Sequence, residues 1–428
     1  MSAPTGPALA AYLGAMRALA PFAPALLRRR LKAGKEDPDR IGEKLGRPAL
    51  ARPAGRLVWL HAVGLGEVMA LRGLIGAMAT SAPDLSFLVT STARSSAGVF
   101  AANIPPRTQH QFLPLDAPRF YGPFLDHWRP DLSVWSEQDL WPGLVCAAHR
   151  RGIPLALINV RLNQRSGRAR GRVPGLYRDT YARFSLIGAQ DETSARMLKA
   201  LGAPGPVLRH PSLKVGAPAL AADPAALAEF RVATEGRRIW CLASSHAEDE
   251  GVALAAHSAL LRDDPAALLV IAPRIPARRG AITAAIREAG LSASLRSADG
   301  LPGARSQVYV ADTFGEMGLW YRLASTVLMG GTFGPVEGHN PWEPARLGAV
   351  ILHGPRVANF AADYARLDDE GAALEVQNAE AVTAALRRND LAAMAERARA
   401  ITENAGAATY DLAERLVALL PVVAGADG

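Results

Sequence analysis

Residues 57–78 read LVWLHAVGLGEVMALRGLIGAM. The opening seven, LVWLHAV, form an apolar run of strand length. Gly64 and Gly66 then permit a tight turn with close backbone approach. After Glu67, apolar residues fall at Val68, Leu71, Leu74, Ile75 and Met78, which is one face of a helix. A buried strand passing through a tight turn into an amphipathic helix is the first half of a βαβ unit, and the same alternation runs through the whole chain. Further strands are expected near 86–90, 110–114, 132–136, 154–160 and 184–189, and then near 238–243, 267–272, 307–311, 326–330 and 349–353. Strands alternating with helical stretches predict an α/β fold with parallel sheets. A Pro- and Ala-rich stretch at 216–236 reads as a linker between two halves. The expected division is an N-terminal segment at 1–40, a doubly wound domain at 41–215, the linker, and a second such domain at 237–428. A last helix near 392–420 could cross back to the first domain. Ligands of such sheets bind beyond the carboxyl ends of the strands, so two facing domains put the site in the cleft between them.

Composition narrows the partners. Of the 428 residues 49% are hydrophobic, enough for sizeable cores. The net charge of +8 calls for an anionic partner: a membrane surface, a phosphorylated substrate or a nucleic acid. Zinc-finger spacing, an RNP-like aromatic strand and a long basic helix are all missing from the sequence, which argues against nucleic acid. The two cysteines, Cys146 and Cys241, lie outside any CxxC, so a disulfide framework or zinc site is not expected, and a reducing compartment fits. Residues 7–27 are apolar except for Arg17, and Arg28, Arg29, Arg30, Lys32 and Lys35 follow. Arg17, Pro21 and Pro24 interrupt the run of about 20 apolar residues that a spanning helix needs. The basic cluster follows the apolar run, where a secretory signal has it first. The segment reads as interfacial, its basic end meeting anionic headgroups. The alternative is an amphipathic helix packed on the protein's own surface.

Polar groups gather just after the strands. Glu67 stands at a helix start, where it can take a proton from a hydroxyl or merely favour the helix dipole. The glycine pair hints at a dinucleotide fingerprint, but Met69 occupies the third glycine position. Glu137-Gln138-Asp139 follow the strand at 132–136, with Trp141 and Pro142 as loop supports. Arg161 and Arg165 could meet a phosphate or carboxylate, or lie solvated. Lys214 precedes the linker. In the second half Ser244, Ser245 and His246 begin a helix, a position that suits phosphate. The acids of HAEDE (246–250) read as a charged first helical turn. Pro273-Arg274, then Asp312 through Glu316, then Gly330-Gly331-Thr332 follow successive strands. Gly338 through Pro344 (GHNPWEP) come next, with Asn340 and Glu343 placed toward a ribose and its base. Five polar strand ends along one sheet edge are not explained by core packing. His110, His127 and His149 lack metal-ligand spacing, and Asp37-Pro38-Asp39 reads as a solvated loop.

The ordered set HAVGLGE, FLPLD, EQDLWP, NVRL, SLK, SSHAEDE, APR, DTFGE, GG and GHNPWEP resembles the 3-deoxy-D-manno-octulosonic acid (Kdo) transferases of lipopolysaccharide synthesis. The likeness covers about 41 to 375, and the N-terminal segment is also like theirs. It implies a GT-B fold of two Rossmann-like domains and an inverting transfer of Kdo from CMP-Kdo to a hydroxyl of the lipid A precursor. By that resemblance Glu67 would be the general base, and Glu137 and Lys214 would stabilise the transition state. Pro273, Arg274, Phe314, Gly315, Glu316, Asn340, Pro341, Trp342 and Glu343 would hold CMP. Ser244, His246, Gly331, Thr332 and Arg161 are further candidates. Neither a metal nor a cofactor is expected, and the expected location is the cytoplasmic face of an inner membrane. Three departures fall near these residues. Gly64-Leu65-Gly66-Glu67 stands where the family usually has Ser-Val-Gly-Glu. Glu137-Gln138-Asp139 replaces Glu-Thr-Glu, and Ile275 replaces a His after the arginine. Two other readings remain: another GT-B enzyme, such as a nucleotide-sugar epimerase or a transferase of a different nonulosonic-type sugar, or a non-catalytic membrane-associated relative.

Overall fold

The computed structural model describes residues 3–421 apart from Ala102. Its first sheet comprises β1 (Leu57–His61), β2 (Ser86–Ser91), β3 (Thr108–Phe112), β4 (Leu132–Ser136), β5 (Leu155–Val160), β6 (Leu186–Ala189) and β7 (Leu208–Arg209). The order is β3-β2-β1-β4-β5-β6-β7, all parallel. The second comprises β8 (Ile239–Ser245), β9 (Leu268–Pro273), β10 (Ala293–Leu295), β11 (Val308–Val310), β12 (Thr326–Met329), β13 (Val350–His353) and β14 (Ala373–Glu375). Its order is β10-β11-β9-β8-β12-β13-β14, again all parallel. Strands β1, β4 and β5 are buried at every residue, as expected of sheets covered on both faces. β7, β10 and β14 were not expected from the sequence. They are two- or three-residue additions toward or at the sheet edges, too short to carry a pattern.

The strand order reverses between β1 and β4 in the first sheet and between β8 and β12 in the second. Loops leaving a reversal point diverge to opposite faces and open a crevice, where ligands of such sheets bind. The β1 and β4 loops carry Glu67 and Glu137. The β8 and β12 loops carry Ser244–His246 and the glycine pair.

The chain forms two compact units. Ala219–Asn404 is one; the residues before Ala219, with those from Ala405 onward, are the other. The stretch read as a linker is corrected in its second half. Pro224–Ala233 is a helix, capped by Asp223, whose carboxylate accepts the Ala225 N–H at 2.9 Å. Phe230 anchors it, buried edge-on against Tyr309 and Trp320. The helix Leu391–Val417 serves both units: Met394 lies in the second core, Leu412, Ala413 and Leu416 in the first.

The N-terminal segment is helical at Pro7–Leu19 and Ala23–Lys32, joined by a 3-10 turn at Ala20–Phe22. Among the described residues Pro7–Lys32 is the one helical stretch long and apolar enough to cross a membrane. It also packs on its own unit, as the alternative reading proposed. Leu9 and Leu27 are buried, Tyr12 donates to Asp116 at 2.8 Å, and the Gly6 N–H donates to Asp179 at 2.7 Å. Leu19, Phe22 and Leu26 face outward, 56–69% exposed.

Candidate active site

The first unit assembles its charged groups at the reversal point. β1 ends on His61, fully buried edge-on against Trp135 and Trp141. Burial holds its pKa down to about 3, so the ring is neutral and forms a wall. The chain then turns through Gly64 into the helix Leu65–Ser81. Glu67 reaches back over that turn, and its Oε2 accepts the N–H groups of Val63 and Gly64, both at 3.0 Å. This is a capping arrangement, so Glu67 does serve the helix start.

Glu137 leaves β4 with a left-handed backbone, φ 72°. A non-glycine residue in that region costs about 1–3 kcal/mol and tends to mark function. Its Oε1 accepts from the Asn159 amide at 3.0 Å. Burial pushes its carboxyl up to about 7; Lys214 and Arg161 oppose the shift, and Glu67 and Asp139 add to it. Asp139 is raised too, by burial and then by Glu67. Lys214 passes over the start of the Glu67 helix: a Cβ on Gly66 would lie 3.8 Å from Lys214 Cε. Glu67, Glu137 and Lys214 therefore form one electrostatic cluster with Arg161 and Asp139. Two supports had no role of their own in the sequence reading. Asn159 is fully buried with φ 57°. Arg170, also buried, donates to the Gln138 carbonyl at 2.8 Å and to its side chain at 3.0 Å. Asn159 opens the NVRL motif, where the arginine drew the attention, and Arg170 lies outside the motifs; the fold carries both to the β4 loop.

In the second unit Ser244, the last residue but one of β8, has φ 55°, and Gly330 packs so closely on it that a Cβ there would collide with the Ser244 carbonyl oxygen. The acids of HAEDE stand in the first turn of the helix Ala247–Leu260, as expected, and two of them also make buried contacts. Asp249 is fully buried and accepts N–H groups from His246 (2.9 Å), Gly331 (2.7 Å) and Phe333 (3.1 Å), tying the β8 loop to the β12 loop. Glu250, also buried, binds Ser245 and Arg278. His246 and His339 stack, with their Nε2 atoms 3.0 Å apart. Burial, then His246 and Arg274, lowers the His339 pKa to about 4.

Arg274 follows Pro273, the last residue of β9, and is exposed with no ion-pair partner among the described residues. It helps to hold down a Glu343 carboxyl that burial raises. Phe314 is 79% exposed beside Gly315, whose φ is 87°. Asn340 accepts the Trp342 N–H at 3.1 Å and donates to Glu343 at 3.4 Å. Other candidates are engaged elsewhere. Trp342 is 2% exposed and donates to Asp363, and Pro341 beside it is buried. Thr332 is buried between the Met329 carbonyl and the Gly354 N–H. Glu316 is paired with Arg296 at 2.7 Å and bonded by Thr313; these contacts outweigh desolvation and lower its pKa. Arg274, Phe314, His246, His339, Asn340 and Glu343 are the groups left to meet a ligand. Among the described residues no group of three or more His, Cys, Asp or Glu is placed to hold a metal ion.

Comparisons with known proteins bear on the family and the fold. A family model described as 3-deoxy-D-manno-octulosonic-acid transferase (kdotransferase) matches residues 39–216. The probable mitochondrial 3-deoxy-D-manno-octulosonic acid transferase of Arabidopsis thaliana is 33% identical, over 78% of this chain and 76% of its own. The 3-deoxy-D-manno-octulosonic acid transferase of Rickettsia felis is 32% identical, over 78% of this chain and 71% of its own. Among solved structures, the UDP-GlcNAc 2-epimerase of Neisseria meningitidis aligns over 85% of this chain and all of its own, with a TM-score of 0.55 at 14% identity. That likeness establishes the GT-B fold alone. With two doubly wound units, charged groups gathered at both reversal points and a third of its residues shared over most of its length, the chain belongs to the 3-deoxy-D-manno-octulosonic acid transferases, which are glycosyltransferases.

Proposed function

We propose that the protein moves Kdo from CMP-Kdo to a hydroxyl of a lipid A precursor, with inversion at the anomeric carbon. In that step the acceptor oxygen forms the new bond to the anomeric carbon, and the bond from that carbon to the CMP phosphate breaks. The electron pair leaves on the phosphate, and the hydroxyl proton passes to Glu67. Ionised Glu137 offsets positive charge developing at the sugar, and Lys214 offsets negative charge. Arg274 and the helix start at His246 meet the phosphate of CMP, while Glu343 and Asn340 serve its ribose and base. Cationic side chains and backbone N–H groups balance the leaving phosphate without a metal.

The observation that carries this reading is the cluster of Glu67, Glu137 and Lys214 at the β1/β4 reversal. The acceptor side has further support. Arg161, Arg165, Arg168 and Arg172 are exposed beside the Glu137 loop and have no ion-pair partner among the described residues, so they suit an anionic acceptor or membrane surface. The outward Leu19, Phe22 and Leu26, followed by the basic run from Arg28, suit peripheral attachment at the cytoplasmic face of the inner membrane.

The direct test is incubation with CMP-Kdo generated in place and a tetraacylated lipid A precursor, read by mass spectrometry. A mass gain of one or more Kdo units is expected. An unmodified acceptor, in a preparation that binds CMP, would reject the acceptor assignment.

A further inference from the structure

Asn159 is the most heavily used polar residue behind the first unit's site. It sits in β5 where the pairing with β6 slips, fully buried and left-handed. Its Nδ2 donates to Glu137 Oε1 at 3.0 Å, and its Oδ1 accepts the Leu213 N–H at 3.0 Å. Its backbone is engaged as well. The N–H donates to His210 Nε2 at 3.1 Å, and the carbonyl accepts from Gln190 at 2.8 Å. An Nε2 that accepts leaves the His210 proton on Nδ1, which donates to the Pro211 carbonyl at 2.9 Å. Burial lowers the His210 pKa, in keeping with that neutral tautomer.

One buried residue therefore ties together the chain beyond β4, β6 and β7. Asparagine suits the position on three counts. It tolerates a left-handed backbone better than most residues. Its amide supplies a donor on one side and an acceptor on the other. It is also uncharged beside a carboxylate. The charged groups facing Glu137 are Lys214 from beyond β7, Glu67 from beyond β1, Arg161 from beyond β5, and Asp139 from its own loop. In that balance a hydrogen bond donated to the carboxylate favours its ionised form.

We infer that Asn159 is a positioning residue of the transfer reaction: its amide N–H aims the Glu137 carboxylate while its amide oxygen fixes the Leu213–Lys214 backbone, so that one side chain sets both transition-state groups. The inference rests on the reading of Glu137 and Lys214 proposed above.

A double-mutant cycle on the full-length protein tests it. Asn159→Asp keeps the backbone tolerance and the acceptor for Leu213, but turns a carboxylate toward Glu137. Turnover should fall about 10²-fold, the loss expected of a small misplacement in a site. The ascending limb of the pH–rate profile should move up by at least about one unit. CMP affinity by calorimetry should stay within about twofold. Combining Asn159→Asp with Glu137→Gln restores a matched donor and acceptor, and that double variant should be no slower than Glu137→Gln alone. Effects that multiply would show that Asn159 does not act through Glu137 and would overturn the inference. If Glu137→Gln by itself leaves turnover near normal, the reading of Glu137 fails first and takes the inference with it. Should Asn159→Asp not fold, Asn159→Gly keeps the positive φ and removes both side-chain bonds; its turnover loss should be smaller in the Glu137→Gln background than in the wild type, and an equal loss in both would overturn the inference.

Discussion

At the scale of single residues, Glu67 holds two roles that one substitution separates. Its carboxylate caps the helix that follows β1, and it lies in the electrostatic cluster with Glu137. Glu67→Gln keeps an acceptor oxygen for the cap and loses the proton acceptor. Turnover should fall by about 10²- to 10⁴-fold, with CMP affinity and Tm nearly unchanged. Near-normal turnover alongside a lowered Tm would leave only the capping role. Glu137 predicts a pH dependence. With its carboxyl pushed up to about 7, the group is mostly neutral at pH 6 and mostly ionised at pH 8. In the proposed reaction the ionised form is the one that offsets positive charge at the sugar, so kcat should rise with pH through about 7. Glu137→Gln should remove that limb as well as lowering the rate; a profile that keeps it would assign the titration to another group. In the second unit, Arg274→Ala removes a charge-assisted contact worth about 1.5–3 kcal/mol. CMP affinity should weaken roughly 10- to 150-fold by calorimetry, and equal affinities would take Arg274 out of the site.

Among the elements, the N-terminal helices face two ways, and the two faces predict separate losses. Leu19, Phe22 and Leu26 point outward, whereas Leu9, Leu27 and the Tyr12–Asp116 bond hold the segment to its own unit. Changing the three outward residues to serine should weaken binding to anionic vesicles and leave Tm unchanged, because no buried contact is lost. Deleting residues 1–30 should lower Tm as well, since burial of Leu9 alone is worth roughly 2 kcal/mol. Asp116 also accepts the N–H groups of Gly143 and Leu144 at the start of the helix that follows the Glu137 loop. The segment and that loop thus share an anchor, and vesicle binding at low salt that survives the triple change would refute the outward face as the membrane contact.

For the molecule as a whole, the groups proposed for the acceptor lie in one unit and those proposed for the nucleotide in the other. Saturating CMP should slow amide hydrogen exchange around Ser244–His246, Arg274, Phe314–Glu316 and Asn340–Glu343, and raise Tm by mass action. Protection centred on Glu67 and Glu137 instead would reverse the assignment of the units. The shared helix Leu391–Val417 predicts a stability effect of its own. Leu412 is fully buried in the first unit's core, so Leu412→Ala should cost about 2–5 kcal/mol and lower Tm without changing CMP affinity.

The fold was legible because the apolar runs that end at His61, Ser136, Val160 and Ser245 are buried in parallel sheets, and burial on both faces leaves an unbroken hydrophobic signature. The motif order carried the family for a similar reason: loops at strand ends hold the polar groups, and their spacing follows the strands. Three features depended on tertiary structure. The helix Pro224–Ala233 lay hidden in a linker-like composition, because its anchor, Phe230, finds Tyr309 and Trp320 nearly a hundred residues away. Trp342, a residue of the family's motif, turned inward to Asp363, since which side of a loop a ring takes is set by what it packs against. Asn159 reads in sequence as one polar residue in an apolar strand. Its left-handed backbone and its bonds to Glu137 and Leu213 exist only because parallel strands distant in the chain end side by side, and pairing across such separations is decided by the packed sheet as a whole.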